Sequence, residues 1–72
     1  MGEYMTLGEA TRKLKEMHTL EEKLLDLLAD DTVYYQPDDL KVITTKIFEV
    51  VEIIMKLTVL IHEARKRGDN RL

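Results

Sequence analysis

The sequence predicts an all-α protein, a two-helix antiparallel hairpin that dimerises into a four-helix bundle. Three observations predict it. Apolar residues recur in steps of three and four along two long segments. Each segment is preceded by a helix-start signal. The second segment is apolar on more sides than one neighbouring helix can cover.

The first helix opens at Thr6-Leu7-Gly8-Glu9, which has the form of a capping box. In such a box the threonine hydroxyl accepts from the Glu9 backbone N–H, and the Glu9 carboxylate reaches back to the Thr6 N–H. The helix is expected from about residue 7 to about residue 29. Its apolar positions are Leu7, Ala10, Leu14, Met17, Leu20, Leu24, Leu27 and Leu28, with Leu25 widening the face. Residues 30–36, Asp-Asp-Thr-Val-Tyr-Tyr-Gln, have no helical period and form the loop.

Pro37 suits the first position of a second helix, because its missing N–H has no helical partner there. Asp38 and Asp39 follow where negative charge complements the helix dipole. This helix is expected over about residues 37–67. Arg65, Lys66 and Arg67 fill its last turn, and Gly68 stops it before a short tail. Leu40, Ile43, Ile47, Val50, Ile54, Leu57, Ile61 and Ala64 form an unbroken heptad a/d seam. β-Branched residues are frequent here and favour strands, but the period is helical.

The seam is only part of the apolar surface. With Leu40 at position a, Ile53 and Leu60 fall at g, Val51 at e, and Phe48 and Met55 at b; Val42 and Val59 reach even the polar c and f positions. One helix covers a and d. The rest calls for a second chain, and two hairpins pairing is the simplest closed assembly. The expected dimer core is Leu40, Ile43, Ile47, Val50, Ile54, Leu57 and Ile61.

Size and composition agree with self-association. Seventy-two residues form one small domain with a marginal core. There is no cysteine to cross-link it or to offer a thiolate, which also suits an intracellular protein. At 44% hydrophobic and 35% charged residues, the chain is neither disordered nor membrane-like. The apolar stretch from Ile47 to Ile61 is broken by Glu49, Glu52 and Lys56 and falls short of the roughly 20 residues of a membrane span. The first residues lack the basic start and apolar run of a secretory leader. A soluble, cytoplasmic protein is expected. The net charge of −3 disfavours general nucleic-acid binding.

Charge is unevenly placed. Residues 19–61, the loop half, carry four Lys/Arg against nine Asp/Glu; the remaining open half carries seven against five. Antiparallel pairing sets opposite signs alongside, whereas parallel pairing stacks like on like.

Few residues suggest chemistry, and no cofactor is expected. A tight hairpin places His18 level with Phe48, and His62 about 20 Å further along, so the two histidines do not meet. His18 with Glu21 or Glu22 supplies too few ligands for a specific metal site. Arg12, Lys13 and Lys15, and Arg65, Lys66, Arg67 and Arg71, form basic groups without interleaved aromatics to stack bases. Met5, Met17 and Met55 suit core filling. Tyr34 and Tyr35 suit capping of the bundle end or, if exposed, anchoring of a partner protein.

Glu21, Glu22 and Asp26, with Glu49 and Glu52, faintly resemble the paired acidic helices of the MazG-like nucleotide pyrophosphohydrolases. That resemblance would imply magnesium-dependent hydrolysis of nucleotides. Asp26 stands one residue late, Glu52 replaces the family's Asp, and Glu49 and Glu52 occupy outward c and f positions. The capped first helix, loop and longer heptad helix from Thr6 to Arg67 resemble the Rop-like hairpins. That resemblance implies an antiparallel four-helix homodimer and, as an alternative function, binding of structured RNA. The chain is also similar in character to small helical proteins of spindle-shaped archaeal viruses, which implies a viral adaptor in the host cytoplasm. The leading expectation is a non-enzymatic dimeric adaptor that binds itself and another protein.

Overall fold

The computed structural model describes residues 5–72; the N-terminal residues read as lacking a leader lie partly outside them. The described chain contains two helices, α1 (Leu7–Ala29) and α2 (Pro37–Arg67), folded into a hairpin. The molecule measures 48 × 23 × 16 Å.

Local chemistry sets each boundary. The backbone of Thr6 is extended, and its hydroxyl accepts from the Glu9 N–H at 3.1 Å. The return half of the box differs from expectation. The Thr6 hydroxyl itself donates to the Glu9 carboxylate at 3.2 Å, so one side chain serves both directions. At the other end of α1, the Leu27 carbonyl accepts from the Asp30 N–H at 3.4 Å and from the Tyr35 hydroxyl at 3.2 Å. A helix leaves its last carbonyls without intrahelical partners, and the loop folds back to supply one.

Helix α2 begins with Pro37 in its first turn, behind Gln36, whose side chain makes no capping hydrogen bond. It ends at Gly68, which adopts φ 73°, a left-handed conformation that glycine reaches without a side-chain penalty. The Gly68 N–H donates to Arg65 O at 3.1 Å and the Asp69 N–H to Ala64 O at 2.9 Å. This pair of bonds is a Schellman motif, and it turns the chain sharply back.

The turned tail does something the sequence did not announce. Residues Thr6 and Arg71 form an antiparallel β-bridge. Asn70 O accepts from the Leu7 N–H at 2.7 Å, and Met5 O accepts from the Leu72 N–H at 3.2 Å. An otherwise unpartnered N–H of the first turn of α1 is thereby satisfied by the tail. Leu72 packs with Met5, Leu7 and Leu14 against the buried cluster of Ala10, Leu57 and Ile61.

The α2 seam faces α1, but its burial is graded. Ala64, Ile61, Leu57 and Val50 are buried, Ile54, Ile47 and Ile43 are half-buried, and Leu40 is 40% exposed. Two features explain the gradient. Ala10 and Ala64 at the open end are small and have no exposed surface, so the packing there is tight. In addition, Ala10 packs against Leu57 and Ile61, beyond Lys56, the residue a tight hairpin would set opposite. Sliding α2 in this sense carries its first turn past the end of α1.

Candidate interaction surface

Helix α1 covers one stripe of α2 and leaves the others open. Phe48 is 69% exposed and Met55 64% exposed, and Val42, Val59, Leu60 and Ile53 also face outward. Their spacing sorts them. Phe48, Met55 and Val59 are seven and four residues apart and share one side of the helix. Ile53 and Leu60 are seven apart, and Val42 lies three turns before Ile53; these share another. On α1, Leu25, Leu27 and Leu28 are exposed near the loop, as is Val33 within it. Burial of apolar surface is the main driving force for association, so these stripes are the chemically notable surface of the hairpin.

The residues expected at a dimer core are thus unevenly placed. Val50, Leu57 and Ile61 are already covered by the chain's own α1, whereas Leu40, Ile43, Ile47 and Ile54 retain accessible surface. The two loop tyrosines are separated. Tyr35 is half-buried and bonded to Leu27, while Tyr34 is 95% exposed. Beside them the Asp30 carboxylate accepts from the Thr32 N–H at 2.9 Å and from the Thr32 hydroxyl at 2.6 Å. These hydrogen bonds, the side-chain one first, hold the Asp30 carboxyl below its ordinary pKa of 3.8.

The acidic segments do not converge. His18 Nδ1 lies 3.8 Å from Glu21, Lys46 pairs with Glu49 at 3.9 Å, and Lys56 pairs with Glu52 at 3.2 Å, each within one helix. Among the described residues, no three His, Asp or Glu side chains come together as a metal site would need. His62 sits with Thr11, Leu14, Thr58, Ile61 and Arg65 along a shallow cleft between the helices. The hydroxyls of Thr11 and Thr58 bond carbonyls of their own helices at 2.8 and 2.7 Å. Arg12, Lys15 and Lys23 line an open depression on α1 with Glu16, Thr19 and Leu20. No described helix is long and apolar enough to cross a membrane.

The chain matches no protein-family model, no curated protein and no solved structure.

Sequence reasoning underrated Val42 and Val59, which interrupt polar heptad positions and prove widely exposed. It also missed Leu72. A lone leucine after Gly68 and Asp69 was the available signal, since an apolar residue beyond a Schellman turn commonly packs back on the helix.

Proposed function

We propose that the protein is a non-enzymatic adaptor that works as an antiparallel homodimer, a four-helix bundle built from two hairpins. The observation that carries this reading is the apolar surface of α2 left uncovered by α1, exemplified by Phe48 and Met55. A chain of this size has little core to spare, and a second copy supplies what disulfides or metals supply elsewhere. Antiparallel pairing is favoured because the acidic loop half of each chain then lies beside the basic open half of the other.

In such a dimer, Ile43, Ile47 and Ile54 gain cover from the partner, and the two loops stand at opposite ends of an object about as long as the hairpin's 48 Å. Tyr34, exposed at each loop, is the candidate contact for another protein. One dimer would bridge two copies of that partner. The lack of cysteine suits a reducing cytoplasm.

Sedimentation equilibrium of the wild-type chain tests assembly, with a dimer expected at micromolar concentration. A folded monomer throughout would overturn the reading. Because the chain has no cysteine, a spin label on Tyr34→Cys reports orientation uniquely. A label distance near the length of α2, about 45 Å at 1.5 Å per residue, is expected, and one below about 20 Å would mean parallel pairing.

A further inference from the structure

The geometry points to α2 pairing antiparallel with α2 of a second copy, through the uncharged flank of the helix that carries Leu40, Ile47, Val51, Ile54 and Met55. This inference rests on the dimer reading and adds which helix, and which flank of it, meets the other copy.

Burial within the hairpin shows where α1 sits on α2. Val50, Leu57 and Ala64 follow one another by seven residues, and all are buried. Leu40, Ile47 and Ile54 form the neighbouring row of the same seam, and none of them is buried. Only Ile61, at the Ala10 contact, closes that row. Helix α1 therefore covers one row and leaves most of the other with accessible surface.

The uncovered row borders an uncharged sector. At about 100° per residue, the sector from about 40° to about 160° round from Val50 holds Leu40, Ile47, Phe48, Val51, Ile54 and Met55. Its polar members are Thr44, Thr58 and His62, and the last two line the cleft shared with Thr11 of α1. Every Lys and Glu between residues 40 and 62, namely Lys41, Lys46, Glu49, Glu52 and Lys56, falls outside this sector. Leu40, Thr44, Ile47, Val51, Ile54 and Thr58 step by four and three, a second heptad seam beside the one that α1 covers.

A heptad seam takes a helix of the same period, and α2 of the other copy has it. This seam is centred about 80° round from Val50, so α1 and the incoming α2 meet α2 at nearly a right angle, as neighbours do at the corner of a four-helix bundle. Pairing centred on Val59, half a turn from Val50, would set the helices in a row. Charge fixes the direction. Helix α2 starts with Asp38 and Asp39 and ends with Arg65, Lys66 and Arg67. Antiparallel pairing lays each acidic start beside the other copy's basic end, whereas parallel pairing sets like against like. On the charged flank, Val42, Ile53 and Leu60 stand among Lys46, Glu49 and Lys56. Antiparallel pairing there, about the middle of α2, would face Lys46 with Lys56 of the other copy. Lys15, Glu22 and Asp26 of α1 lie within about 60° of Thr11, so α2 supplies the apolar contact.

The test compares two variants by sedimentation, with circular dichroism to confirm folding. Met55 is 64% and Val42 68% exposed in the single hairpin, so neither substitution enters its core. Met55→Asp is expected to weaken the dimer by about tenfold or more, because it buries an unpaired charge. Val42→Asp is expected to leave the dimer constant within about threefold, as surface changes usually do. Dilution of the wild-type chain reads the same contact without substitution. Methyl NMR signals of Ile47, Val51 and Met55 should shift with concentration while those of Val42 and Leu60 stay fixed. A wild-type chain that never dimerises overturns the dimer reading itself. A dimer that survives Met55→Asp, or is weakened as much by Val42→Asp, overturns the flank assignment and leaves the dimer reading standing. Methyl shifts confined to Val42 and Leu60 would do the same.

Discussion

Thr6 and Arg71 pair across an antiparallel bridge, so the chain approaching α1 is tied to the chain leaving α2. Around this bridge the Leu7 N–H donates to Asn70 O at 2.7 Å, and Leu72 covers the Ala10, Leu57 and Ile61 cluster. Removal of residues 70–72 should therefore cost stability out of proportion to their number. Two backbone hydrogen bonds at about 1 kcal/mol each, with the burial of part of one leucine, suggest a loss of about 2–3 kcal/mol. Urea denaturation would read this as a lower midpoint. An unchanged midpoint would show that the tail contributes nothing.

The two glycines with room for a side chain should respond in opposite senses. Gly8 lies within α1, and a methyl group there would sit 4.0 Å from the Thr6 hydroxyl oxygen. Gly8→Ala should stabilise the protein by about 0.5–1 kcal/mol. Gly68 meets nothing within 4 Å, but its φ of 73° disfavours any side chain. Gly68→Ala should destabilise by about 1 kcal/mol. Thermal melts of the two variants should diverge on either side of the wild type.

Core substitutions should separate the two ends of the hairpin. Ala10 has no exposed surface and packs with Leu57 and Ile61, so Ala10→Leu overfills this contact and should cost about 1–3 kcal/mol. Leu57→Ala opens a cavity in the same region and should cost about 2–5 kcal/mol. Leu28→Ala, at the sparsely covered loop end, should cost less than either. Equal losses at both ends, measured by denaturant titration, would contradict the burial gradient.

The pH dependence of the loop follows from Asp30. Its two hydrogen bonds from Thr32 require the carboxylate and hold its pKa below 3.8. Their stabilising effect is full above the unfolded-state pKa and is lost as pH falls through the lowered folded-state value. Loop amides such as that of Thr32 should lose protection, relative to their intrinsic exchange rates, as pH falls below the ordinary carboxylate pKa of 3.8, and Asp30→Ala should remove that acid-sensitive step. An identical exchange profile in the variant would count against this account.

Much of the fold was legible because its signals are local. Thr6 and Glu9, Pro37, and Gly68 each act within one turn of chain, and the heptad seam from Leu40 to Ala64 encodes one buried stripe directly. The tilt of burial toward the open end was not legible, since it depends on Ala10 meeting Leu57 and Ile61 across two helices. Nor was the register, because Ala10 packs on Leu57 and Ile61 by fit of side chains and not by loop length. Tyr34 and Tyr35 look alike in sequence. Their fates part only because Tyr35 can reach the Leu27 carbonyl.

With the Leu72 N–H bonded to Met5 O at 3.2 Å, the backbone at residue 72 lies beside the backbone at residue 5. Linking these positions and opening the chain in the loop would give a circular permutant in which α2 precedes α1. The described fold would need no rearrangement to accept it. Connectivity is then incidental to this hairpin: what it conserves physically is a pair of helices fastened at both ends, whichever of them is synthesised first.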